Sequence, residues 1–114
     1  MADEQTESFN LAVNRSNLFK EESFTDLRAC TIRQLSPVNP DGSPDKGRKI
    51  IYIGQTHVMT QGGPLPIQSV IQAKDLQQAF KKFPEAMKTA MDRLIEEAKK
   101  AQQQEQSRII VPGR

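Results

Sequence analysis

A single cysteine, Cys30, is all the thiol the chain carries. It cannot close an internal disulfide, so the fold must hold without the covalent staples of small secreted domains, and a reducing, cytoplasmic setting is expected. A single histidine, His57, is equally limiting. One His and one Cys in no recognised spacing do not make a metal site, and the sequence places no carboxylate or second His to orient His57 as a general base. No catalytic residue, metal or other cofactor is expected, and the chain reads as a non-enzyme. Tryptophan is missing and aromatics are few, five Phe and one Tyr, which argues against a base-stacking surface for single-stranded nucleic acid. No apolar run is long enough to span a bilayer, and the polar opening MADEQTES does not read as a signal peptide. Charge of one sign is scarce too: sixteen basic residues face fourteen acidic ones, a net of +2, which demands no polyanion partner.

What is present is periodicity. In AKDLQQAFKKFPEAMKTAMDRLIEEAKKAQ the residues Leu76, Ala79, Phe80, Phe83, Met87, Ala90, Met91, Leu94, Ala98 and Ala101 recur at three and four positions, the stripe of an amphipathic α-helix. Asp75 with Gln78 reads as a capping pair at its start. Pro84 must kink or briefly interrupt this helix, which is expected from about residue 75 to about residue 103. The tail, residues 104 to 114, is expected to fray.

Upstream the period changes to two. RKIIYIGQTHVMT and PLPIQSVIQA read as strands joined by a hairpin whose two central residues are Gly62 and Gly63, both at positive φ. That turn pairs Gln61 with Pro64 and sets Val58 opposite Ile67, His57 opposite Gln68, Gly54 opposite Ile71 and Tyr52 opposite Ala73. A further strand is expected through Leu27, Ala29, Cys30, Thr31, Ile32 and Leu35, with Cys30 a small buried hydrophobe in mid-strand. The Pro- and Gly-dense SPVNPDGSPDKG then makes a long loop. Phe9, Leu11 and Val13 alternate weakly and could add an edge strand; residues 1 to 23 otherwise read as a polar, partly disordered segment ahead of a single domain over 24 to 103.

The fold class is therefore α+β: an antiparallel sheet of three strands, or four, with one long C-terminal helix on one face. The hairpin register puts Tyr52, Gly54, Thr56 and Val58 with Ile67, Ile71 and Ala73 under the helix. The other face shows Ile51, Ile53, Met59 and Val70 among Gln55, His57, Gln68 and Gln72, and one helix cannot cover both. Each aliphatic side chain left in water forgoes roughly 1.5 to 3 kcal/mol, so a second copy of the chain is expected to cover Ile51, Ile53, Met59 and Val70, as a homodimer or higher oligomer. The function expected is a protein-interaction or structural module. The alternative is nucleic-acid binding through Lys46, Arg48 and Lys49, with Arg28 and Arg33 near them; Asp41 and Asp45 in the same loop weaken it. DGSPD begins like a calcium loop, but Lys46 and Tyr52 stand where that loop needs Gly and Glu.

Overall fold

Alternation of apolar and polar side chains produces four strands, and a three-to-four spacing produces one helix. The computed structural model of the protein describes residues 11–110, with 104–110 given as helical backbone alone. The strands are β1 (Leu18–Thr25), β2 (Thr31–Val38), β3 (Ile51–Thr60) and β4 (Gly63–Ile71), followed by α1 (Leu76–Ile110). They form one antiparallel sheet in the order β1-β2-β3-β4. This is the α+β architecture expected, with the fourth strand present. That strand is not where the weak alternation pointed. Leu11 and Val13 are exposed and belong to no regular element, and Phe9 lies outside the described residues. The edge strand is instead LFKEESFT, whose Phe24 pairs with Ile32 and whose Glu21 pairs with Leu35.

The strand expected through Leu27 to Leu35 begins later, at Thr31. Local hydrogen bonds win over the ladder here. The Asp26 carboxylate accepts from the amides of Arg28, Ala29 and Cys30 at 2.8, 3.1 and 3.0 Å, and the Thr25 hydroxyl oxygen accepts from the Leu27 amide at 3.0 Å. Residues 26 to 30 are therefore a turn, and Leu27 sits in it at φ 61°. Cys30 ends that turn and packs part-buried against the core rather than in mid-strand.

The β3–β4 hairpin is tighter than expected. Thr60 pairs with Gly63 around a loop of Gln61 and Gly62, so Val58 faces Leu65, His57 faces Pro66, Thr56 faces Ile67 and Tyr52 faces Ile71. The register differs by two residues from the one read in the sequence. A shift of two leaves every side chain on its own face, because the strand period is two. Of the glycine pair only Gly63 takes a positive φ, 110°; the bend needs one left-handed residue, after the loop. Prolines 64 and 66 fit because they occupy pairs without ladder hydrogen bonds, where a strand residue's N–H points outward.

Helix α1 lies on β4 and β3 and reaches β2. Ile32, Tyr52, Ile71 and Ala79 form the buried centre, with Leu76, Phe83 and Ala86 packed against it. Gly54 is buried beneath the helix. The helix starts as expected: the Asp75 carboxylate accepts from the Gln78 amide at 2.8 Å, and the Gln78 side-chain oxygen accepts from the Lys74 amide at 2.7 Å. Pro84 lies inside it, and the helix is one element rather than two. From Asp92 to Gln103 every residue is exposed, so the second half of α1 has run past the sheet.

Candidate interaction surface

The sheet face away from α1 carries Phe19 and Glu21 from β1, Arg33, Leu35 and Pro37 from β2, Ile51, Ile53, Gln55, His57 and Met59 from β3, and Pro66, Gln68 and Val70 from β4, as the registers dictate. Three of the four residues expected at an interface come together there. Ile53 and Val70 are cross-strand partners, with Ile51 adjacent on β3. Ile51 and Ile53 are half-buried by their neighbours, whereas Val70 is 53 % exposed. Met59, 78 % exposed, stands apart at the hairpin tip opposite Pro64.

One corner of this face is closed by the chain itself. The loop after β2 folds back through Arg48, whose guanidinium donates to the Leu18 and Val38 carbonyls at 2.9 and 3.1 Å and to the Asn17 side-chain oxygen at 3.2 Å. It pairs with Asp45 at 2.9 Å and lies 5.0 Å from the centre of the Phe19 ring. A planar fork with several donors suits such a junction, where lysine would not. Arg48 thus ties the loop to β1 and β2, and Lys46 and Lys49 are left as the loop's exposed cations. Arg33 does not join them, being paired with Glu21 at 2.9 Å. Arg28 lies in the β1–β2 turn, at the opposite end of β2 from this loop.

His57 is exposed beside Pro66, and the Gln55 and Gln68 amides hydrogen-bond each other at 2.6 Å next to it. These groups and Arg28 line a cleft of about 300 Å³ under the β1–β2 turn. Burial pushes the Cys30 thiol above its ordinary pKa, and the Asp26 carboxylate adds to this, the opposite of what a thiolate nucleophile needs. Among the described residues no group of three or more His, Cys, Asp or Glu could hold a metal ion, and no helix is long and apolar enough to cross a membrane.

Two features escaped the sequence reading. Leu27 is 89 % exposed at the turn tip, and Thr25 with Asp26, both able to accept from nearby amides, were the signal that a turn and not a strand lay there. The second is the outer edge of β4. Val70 and Gln72 line a groove on each side of it, one with Lys49, Ile50 and Ile51, the other with Lys82, Glu85 and Ala86 of α1. No protein-family model, no curated protein and no solved structure matches the chain.

Proposed function

We propose that the protein is a non-catalytic interaction module that works as a homodimer, with a second copy meeting the apolar surface around Val70 that α1 leaves open. The observation that carries this reading is Val70, more than half exposed and continuous with Ile53 and Ile51. An apolar row of that kind, rimmed by the Gln68 and Gln72 amides, is what partner surfaces present. A lone, part-buried Cys30 suits a cytoplasmic setting. Nucleic-acid binding through Lys46, Arg48 and Lys49 is the weaker reading, because Arg48 is committed to Asp45 and to two backbone carbonyls.

Sedimentation of the wild-type chain and of Val70→Asp tests the proposal. A carboxylate buried at a subunit contact without a partner is strongly unfavourable, so the variant is expected to sediment as a folded single chain and the wild type as a dimer. Equal behaviour of the two, each as a single chain, contradicts it.

A further inference from the structure

Strand β4 ends the sheet, and its chemistry differs along its length. The pairs Thr60–Gly63, Val58–Leu65, Thr56–Ile67 and Tyr52–Ile71 share one parity of the register, and Pro64, Pro66, Gln68 and Val70 share the other. Since prolines cannot donate to a ladder, the second set is the one whose backbone groups point away from β3. At 64 and 66 the outward edge therefore has no N–H, while Gln68 and Val70 present both donor and acceptor, and Gln72 follows directly after the strand's end. The Gln72 carbonyl is met by the Lys82 ammonium at 2.7 Å and the Val70 carbonyl by the Ser69 hydroxyl at 3.3 Å. Those contacts satisfy acceptors; the edge amides of the same residues still face outward.

We infer that two copies of this chain join edge to edge along Gln68–Ile71 of β4 and Gln72 just past its end, antiparallel about a two-fold axis at Val70, into one continuous eight-stranded sheet. This rests on the homodimer reading and says how the copies meet. In that register Val70 pairs with its own copy and Gln68 with Gln72 of the partner subunit, so the outward N–H groups of Gln68 and Val70 find acceptors; a register moved towards the hairpin would set outward carbonyls against Pro64 and Pro66, which have no N–H to donate. On the open face the row Ile53, Val70 continues into the partner's Val70 and Ile53, so the two exposed valines pack side by side. On the other face the two α1 helices, each over β4 and β3, come to lie about 10 Å apart, within the spacing of packed helices. Ala86 is small enough for that approach. Lys82 and Glu85 line the same groove, and a two-fold turns the Lys82 of one copy towards Glu85 of the partner subunit, so the contact is self-complementary in charge.

The test uses the full chain in a Cys30→Ser background. Paired residues of this kind lie about 5.5 Å apart between Cα atoms, inside the roughly 4.4 to 6.8 Å range of disulfides, so Val70→Cys should give a covalent dimer on mild oxidation or with a short bis-maleimide. Met59→Cys, on the same face but at the hairpin tip and far along the sheet from Val70, should not. Gln68→Pro removes an edge donor without touching the β3–β4 backbone ladder, although it also gives up the exposed Gln55–Gln68 side-chain hydrogen bond, and is expected to weaken dimerisation about tenfold or more with an unchanged circular dichroism spectrum. Cross-linking at Met59→Cys but not at Val70→Cys would mean that copies stack face to face: the edge register is then overturned while self-association stands. A wild-type chain that is single at all concentrations overturns both.

Discussion

Gly54 lies directly under Met87: a Cβ built on the glycine would stand 2.8 Å from the methionine's terminal methyl, and equally close to Cδ1 of Ile71. The helix rests on the sheet here over a position with no side chain. Gly54→Ala must turn the Met87 and Ile71 tips aside, which flexible ends do at small cost, about 1 kcal/mol or less, whereas Gly54→Val adds branches that the tips alone cannot clear and is expected to cost about 1 to 3 kcal/mol, read as a lower melting temperature. A valine variant as stable as wild type would show that the helix does not pack at this depth.

The hairpin separates its two glycines. Gly63 is at φ 110° with open space around it, whereas Gly62 has ordinary φ. Gly63→Val is expected to lose about 1 kcal/mol or more from backbone strain, Gly63→Asn less, and Gly62→Val little. Thermal melts of the three variants check the order, and equal losses at 62 and 63 would contradict the register.

Leu27 holds a left-handed conformation and gains no packing from it, being almost fully exposed. Leu27→Gly should therefore stabilise the fold, by about 1 kcal/mol. Destabilisation would mean that the leucine side chain packs against something in solution, a partner included.

Several carboxylates at or near the surface titrate below their ordinary range. Amides of Arg28 and Cys30 hold Asp26 down, Arg48 holds Asp45 down, Ser43 holds Asp41 down and Arg33 holds Glu21 down. A carboxylate with a lower pKa folded than unfolded adds stability above its unfolded value and loses it as pH falls through the folded one. Melts between about pH 7 and about pH 3 should show stability declining on the acid side. Asp26→Asn, which keeps an oxygen acceptor but cannot titrate, should flatten that decline; an identical acid limb would contradict the role given to Asp26.

The elements that were legible in the sequence are those where one face of a periodic segment is buried. Helix α1, its Asp75–Gln78 cap and the two faces of β3 and β4 follow from spacing alone, and even a register read two residues out kept Tyr52 and Ile67 under the helix. What escaped depends on short polar groups acting on nearby backbone or on distant partners. Asp26 binding three amides cut a strand into a turn, and Arg48 reached Leu18 and Val38 from thirty and ten residues away. β1 was obscured because its burial is partial, with Phe24 and Glu22 on the helix side of the sheet but beyond the reach of α1. Of the expected interface, Ile51, Ile53 and Val70 could be grouped by parity; that Met59 stands apart required knowing where the hairpin turns.

Self-association can be read from light scattering of the wild-type chain across a dilution series from micromolar concentration. A mass of twice the 12.8 kDa chain is expected, falling only on strong dilution. A mass of one chain throughout, with the fold intact, would contradict it.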